Sequence, residues 1–318
     1  MNNISKYLYN KFVPNPKRWY PIISVYYLNY SCDFKCSYCS DGSGVPYYKL
    51  TDIKVELNDA IEIIKHIRKY TDYFVLTGGE PLQYPEISEL LLKIGELKFK
   101  NFILTTNGFY YDKYYEEISK SVNSLVFSLD SMNKEKAENL WGMPEATFDK
   151  IISNINMAHK IKSANTNIIL STVLTPSNID DAYDVYKFAC QNGFEFAACP
   201  QLMGVKANQE LYGNKSYSQF YNYLIKEKKK GGKIFGSVKY LEYMRELKTF
   251  NCKPFTMLVV SPTGEIYYPC LEKGNPARNI KDVGNLHQAK LLGEEKYGQK
   301  PLCGNQCHSA CALTFALL

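Results

Sequence analysis

Between Ser31 and Ser40 the chain reads SCDFKCSYCS, which sets Cys32, Cys36 and Cys39 in a C-x3-C-x2-C array just after an apolar run, Ile22 to Leu28. Three thiolates in so short a loop suit soft-metal chemistry. An all-cysteine [4Fe-4S] cluster uses four ligands, so a triplet leaves one iron open to a substrate or cofactor. A structural zinc loop is the competing reading, although such loops more often pair cysteines as C-x2-C with further ligands elsewhere. A second signature, Gly78-Gly79-Glu80-Pro81, ends another strand-like run. Its glycines let backbone come close with no Cβ in the way, and Glu80 is able to accept from an ammonium or to cap the helix behind it. Alone, this tetrapeptide is an ordinary turn; beside the cysteine triplet it gains weight.

The elements that must hold these residues are legible as an alternation. Strand-like runs cover Ile22 to Leu28, Tyr73 to Thr77, Asn101 to Thr105, Ser124 to Leu129, Asn167 to Leu174 and Phe194 to Ala198. Helical patterns predicted between them are Asn58 to Tyr70 with Asn58 as N-cap, Glu86 to Leu97, Thr147 to Lys160 and Asp180 to Gln191. Six βα units in series predict a parallel α/β sheet with right-handed crossovers. A closed eight-stranded barrel takes about 250 residues, so the expectation is a partial (βα)6 barrel. In such sheets the chemistry sits at the carboxyl ends of the strands, and every predicted strand ends in a polar or glycine-rich signature. After the cysteine loop and GGEP come Thr106-Asn107-Gly108, Ser128 with Asp130, Thr175-Pro176-Ser177-Asn178, and Cys199-Pro200-Gln201. All six share one rim.

Composition narrows the class. Of 318 residues, 45% are hydrophobic and 22% charged, an ordinary globular balance with room for a full core. No apolar run reaches the roughly 18 residues of a membrane span, and Met1 to Tyr20 lacks a signal-peptide core, which gives a cytoplasmic expectation. Ten cysteines then read as metal ligands in a reducing compartment rather than as disulfides. The net charge of +6 omits bound anionic clusters and is not a nucleic-acid signature, and KEKKKGGK, Lys226 to Lys233, reads as a solvated helix end and turn. Residues 1–21, with Pro14 and Pro16, predict an irregular leader; 22–215 the barrel; 216–250 a helical bridge; 251–318 a small, short-stranded α+β cluster-binding domain.

Taken together, CDFKCSYC and TGGEPL resemble the radical S-adenosylmethionine (radical SAM) superfamily over about Ile22 to Gln201. The resemblance implies that Cys32, Cys36 and Cys39 ligate a [4Fe-4S] cluster whose open iron takes the amino and carboxylate groups of S-adenosylmethionine. It implies that Gly78, Gly79, Glu80 and Pro81 receive the methionyl amino group, that Tyr38 lies by the adenine, and that Ser128 and Asp130 stand near ribose and substrate. Asn107 and Asn178 fall at further contact positions. An Asp at a strand end is also a common helix N-cap.

Toward the carboxyl end, Cys252 and Cys270 flank VVSPTGEIYYPC, a hairpin-like run turning at Gly264, and Cys303, Cys307 and Cys311 form C-x3-C-x3-C. With VGNL at Val283 to Leu286, this resembles the auxiliary-cluster domains called SPASM and, in the one-cluster form, Twitch. Five cysteines are fewer than the full SPASM pattern, which implies one auxiliary iron-sulfur cluster, a [4Fe-4S], held by Cys252, Cys270 and two of the last three. A zinc site using His308 is the rival. Cys190 reads as a core residue. Cys199, on the active rim, is read as packing or as a hydrogen-atom donor to a substrate radical. His66 and His159 on helices and His287 in a loop read as structural or solvated.

The resemblance implies reductive cleavage of S-adenosylmethionine to a 5'-deoxyadenosyl radical that abstracts a substrate hydrogen atom, with flavodoxin or ferredoxin as electron donor. The reading ranks maturation of a ribosomal peptide, by oxidation, crosslinking or epimerisation, above dehydrogenation of a sugar, aminocyclitol or other small molecule. With only about twenty residues before the first strand, peptide chemistry is expected to need a separate recognition partner or a short substrate. From another class, a non-enzymatic zinc or electron-transfer iron-sulfur protein would use the same cysteines as staples.

Overall fold

Short β-branched and aromatic runs build the centre of the molecule, since such residues suit a pleated sheet with one face buried and the other half-buried. The computed structural model describes residues 3–13, 18–40, 44–50, 53–163, 166–270, 274–299 and 307–317. Six strands, β1 (Ile23–Tyr27), β2 (Tyr73–Thr77), β3 (Asn101–Thr106), β4 (Ser124–Ser128), β5 (Asn167–Leu174) and β6 (Glu195–Pro200), lie side by side in chain order. All five pairings are parallel. The connections carry helices α2 (Leu57–Arg68), α3 (Ile87–Glu96), α4 (Tyr115–Ser121), α5 (Lys134–Trp141), α6 (Thr147–Ile161) and α7 (Asp181–Gln191). Alternation along each strand separates the faces. In β6, Phe196 packs edge-on against Tyr186 of α7 and Phe220 of α8 (Lys215–Lys229), while Cys199 stands on the other, half-buried face.

The parallel set continues past six strands. From the far end of the chain, β9 (Met257–Val260) pairs in parallel with β1, running from Ile23 opposite Met257 to Tyr26 opposite Val260. Its hairpin partner β10 (Glu265–Tyr267) and then β11 (Pro276–Asn279) add antiparallel strands, so β11 and β6 are the two edges of a nine-stranded sheet. Gly264 makes the expected hairpin turn at φ +90°, and a Cβ there would meet Asn279 Oδ1 at 2.9 Å. A small hairpin of β7 (Leu202–Met203) and β8 (Lys206–Ala207) follows β6, then α8 and α9 (Val238–Arg245).

Several expectations are corrected. The amino-terminal segment is not wholly irregular: Asn3–Phe12 form helix α1, while Pro14 and Pro16 lie outside the described residues. Helix α2 begins at Leu57 after Glu56, not after Asn58. The carboxyl-terminal region carries two helices besides its strands, α10 (Leu286–Tyr297) and α11 (Ala310–Leu317), which puts His287 in a first helical turn rather than a loop. Cys190 is exposed, its Sγ 3.6 Å from the Tyr186 hydroxyl, because it sits on the solvent edge of α7 rather than the strip of Ala182, Val185 and Ala189.

Candidate active site

The cysteine loop is held from three sides. Gly79 N donates to Asn29 O at 2.9 Å and Glu80 N to Ser31 O at 2.8 Å, which fixes the segment leading into Cys32. On the second side, Lys35 N and Ser37 N donate to the carbonyls of Trp141 and Leu140 at the end of α5, at 2.8 and 3.1 Å. Phe34 is buried there against Trp141 and Phe109. On the third, the Tyr38 hydroxyl donates to Asp130, while Cys39 N closes a turn onto Cys36 O at 3.1 Å. Burial pushes the Cys32 thiol up to about 12, with Glu80 adding to it, and Cys39 up to about 11, while Cys36 is raised well above the ordinary thiol range. Burial, with the neighbouring acidic groups and thiols adding to it, favours the protonated thiols. Only a cation bound to sulfur reverses that, since a coordinating thiol is deprotonated outright.

The glycines of the second signature serve backbone contact. A Cβ on Gly78, at φ +156°, would sit 2.5 Å from Asn29 Oδ1, and one on Gly79 would sit 2.2 Å from Ser31 O. Glu80, 1% exposed, caps the turn that follows it. Its Oε1 accepts from Leu82 N at 2.9 Å, where buried Pro81 opens a short 3-10 turn, and from Thr106 Oγ1 at 2.8 Å. Its Oε2 accepts from Asn107 N at 2.7 Å. The carboxylate thus ties the end of β2 to the end of β3, and burial raises its pKa to about 7 against those three donors.

Asp130 is fully buried and is a junction rather than an N-cap. Oδ1 accepts from Val173 N of β5 at 2.9 Å, and Oδ2 accepts from Trp141 Nε1 at 3.1 Å as well as from Tyr38. Asn178, expected at a cofactor contact, spends its amide inside the protein. Its Oδ1 accepts from Thr175 N at 2.7 Å, and Nδ2 donates to Val173 O at 2.9 Å and Asp130 O at 3.3 Å. It is a positioning residue. Ser128 closes β4 half-buried opposite Ser171. Cys199 lies 4.0 Å from Thr172 O, its thiol pushed up to about 12 by burial, then by Cys311 and Asp130 nearby.

Unforeseen from the sequence are Asn29, Trp141 and Gln83. Asn29 Nδ2 donates to Glu80 O at 2.9 Å, while its Oδ1, Gln83 Oε1 and Asn107 Nδ2 are buried without a hydrogen-bond partner. Orphaned buried polar atoms are rare enough to call for a ligand or water. Two acceptors and one donor around Glu80 complement an ammonium and a carboxylate, the zwitterionic end of S-adenosylmethionine. The residues present fit that cofactor.

Of the distal cysteines, Cys252 and Cys270 are half-buried, Cys307 is buried and Cys311 exposed, while Cys303 lies outside the described residues. His308 is spent elsewhere: Nε2 donates to Leu247 O at 2.7 Å and Nδ1 accepts from Ala207 N at 3.4 Å. That pairing anchors the last segment to β8 and the end of α9 and removes the support for a His308 zinc ligand.

Comparison with known proteins assigns the class. Residues 26–189, just over half of the chain, match the model of the Radical SAM superfamily. The chain belongs to that superfamily, an enzyme family built on a [4Fe-4S] cluster and S-adenosylmethionine. The chain is 30% identical over 133 residues to a GTP 3',8-cyclase of Trichodesmium erythraeum, covering 40% of this chain and 37% of the cyclase. The chain thus spans little more than a third of that relative. The fold is similar to that of Streptococcus suis SuiB bound to precursor peptide SuiA, with TM-score 0.64, 18% identity, and coverage of 92% of this chain and 67% of SuiB. It is also similar to native anSMEcpe with bound AdoMet and Cp18Cys peptide, with TM-score 0.62, 19% identity, and coverage of 92% and 95%. Among the described residues, no helix is long and apolar enough to cross a membrane.

Proposed function

We propose that this enzyme cleaves S-adenosylmethionine reductively and abstracts a hydrogen atom from a peptide substrate, maturing it by oxidation, crosslinking or epimerisation. The observation that carries the proposal is the union of the cysteine loop with the Gly78–Glu80 turn, beside three buried side-chain atoms without a partner, Asn29 Oδ1, Gln83 Oε1 and Asn107 Nδ2. When bound, the cluster and S-adenosylmethionine supply the one-electron chemistry that no side-chain acid or base provides. In this reading Cys32, Cys36 and Cys39 hold the cluster. Asn29 and Gln83 accept from the methionyl ammonium and Asn107 donates to its carboxylate. Glu80 and Asp130 do not move protons; they hold the loops in register. The two solved folds with bound peptides support a peptide substrate.

An auxiliary cluster on Cys252, Cys270 and two of Cys303, Cys307 and Cys311 belongs to the same proposal, as does a flavodoxin- or ferredoxin-type donor. The division into a barrel over 22–215 and a cluster-binding unit over 251–318 is kept as a functional one, although β9 joins both in one sheet. A second reading has a specific support: the curated relatives are GTP 3',8-cyclases, which favours a small-molecule substrate. Superfamily membership sets aside the non-enzymatic reading.

Anaerobic reconstitution tests the proposal. Wild type is expected to hold about eight irons, the triple alanine variant of Cys32, Cys36 and Cys39 about four, with loss of 5'-deoxyadenosine formation. About four irons falling to none would remove the auxiliary cluster; deuterium transfer from a labelled small molecule but from no peptide would favour the second reading.

A further inference from the structure

We propose that a cleft at the amino ends of the strands, on the opposite end of the sheet from the cysteine loop, binds a phosphate-bearing small molecule of nucleotide size. The cleft has a volume of about 490 Å³ and is walled by Trp19, Tyr20 and Tyr70, within the range of small-ligand sites. Trp19 and Tyr20 lead into β1 and Tyr70 into β2, the two strands whose other ends carry the cysteine loop and the glycine turn. A ligand here therefore stands apart from the reacting rim.

Its charge is one-sided. Lys6, Arg18 and Lys69 line it and, among the described residues, no acidic residue does. Lys6 is only 9% exposed, and its ammonium donates to the Tyr70 carbonyl. The acid facing it, Asp72, is already engaged by Arg68 at 2.7 Å and Lys100 at 3.5 Å. Among the described residues no carboxylate pairs with Lys6, Arg18 or Lys69. Lys6 is buried while Arg18 and Lys69 are exposed, and three cations gathered around one cleft lower their mutual repulsion when an anion enters. The amino terminus of α10 opens into the same space through Asn285, Leu286 and His287, with no acidic residue in its first turn to offset the helix dipole. His287 Nδ1 is buried there without a hydrogen-bond partner. Trp19 is fixed as a wall by its Nε1 bond to Met257 O at 2.9 Å, and Tyr20 by its edge contact with Tyr9 at 5.1 Å. Clustered cations, a helix amino terminus, an unpartnered imidazole nitrogen and flat aromatic walls are the chemistry of phosphate held beside a planar group.

The test is equilibrium dialysis of the full, reconstituted chain, with S-adenosylmethionine saturating, against ATP, GTP and inorganic pyrophosphate. At least one nucleotide is expected to bind with a dissociation constant below about 100 μM. The double variant Arg18→Glu, Lys69→Glu is expected to weaken it about tenfold or more with unchanged iron content. Both side chains are exposed, and the milder Arg18→Gln, Lys69→Gln pair carries the same direction should the reversal perturb folding. A nucleotide seated at the rim as substrate would ignore both variants. Absence of binding, binding insensitive to both variants, or pyrophosphate binding as tightly as either nucleotide would each overturn the proposal.

Discussion

Gly79 and Ser31 meet backbone to backbone: a Cβ on Gly79 would sit 2.2 Å from the Ser31 carbonyl oxygen and 2.7 Å from that of Tyr30. The glycine turn and the cysteine loop therefore form one body, and what displaces one displaces the other. Gly79→Ala has no flexible side-chain end to push aside, only backbone. It is expected to lower stability by about 2–4 kcal/mol and to cut both iron at the triplet and 5'-deoxyadenosine formation by at least about tenfold. Iron analysis beside urea unfolding checks this, and normal iron content in the variant would contradict it.

Asp130 gathers three donors from three elements: Tyr38 from the cysteine loop, Trp141 from α5 and Val173 from β5. Asp130→Ala strands all three in a buried place, where each unpaired polar group costs about 1–3 kcal/mol. A loss of about 3 kcal/mol or more in urea unfolding is expected, with Asp130→Asn falling between the variant and wild type. If Asp130→Ala unfolds like wild type, the junction role is wrong.

The pattern of legibility follows the range of the interactions involved. Strands β1 to β6 are legible within a residue or two because each is a short run rich in β-branched and aromatic residues that ends in a polar or glycine-rich signature. Pairing β9 with β1 joins Ile23 to Met257, a separation no local pattern encodes. Helix α1 is inverted: Ile4, Leu8 and Phe12 are 72%, 45% and 70% exposed while Lys6 and Asn10 are buried, so a search for an apolar inner stripe misreads it. At the rim, Asp130, Asn107 and Asn178 were placed correctly at strand ends. Their partners were not, because a side chain's local sequence says where it stands and not what fills its hydrogen bonds.

Glu80 predicts a pH dependence. Its folded pKa of about 7 stands above the ordinary 4.5, so the folded state holds a proton that the unfolded chain has released between those values. With more protons bound folded than unfolded, unfolding free energy falls as pH rises through that window. Stability of the iron-free protein should drop by something on the order of 3 kcal/mol between pH 4.5 and 8. Burial raises Asp130 in the same direction. Denaturant unfolding of Glu80→Gln with Asp130→Asn should flatten the profile, and a slope that survives both changes would assign it elsewhere.

Cys199 poses the sharpest choice. It stands on the half-buried face of β6, and burial with Cys311 and Asp130 nearby keeps the thiol protonated. A protonated thiol is the form a hydrogen-atom donor requires, and equally the form that packs among apolar neighbours. The surroundings favour packing: Tyr217, Tyr221 and Tyr240 from α8 and α9 all lie within the electrostatic reach of Cys199 and are themselves buried. Cys199→Ala is therefore expected to cost about 1 kcal/mol, to leave 5'-deoxyadenosine formation within about twofold, and to leave product stereochemistry in deuterated water unchanged. The decisive comparison is the last. If 5'-deoxyadenosine persists while solvent deuterium disappears from the product, the thiol delivers the hydrogen atom and the outcome is epimerisation; if both persist, another exchangeable group delivers it; and if the wild-type product takes up no solvent deuterium, oxidation and crosslinking are the reactions to assay.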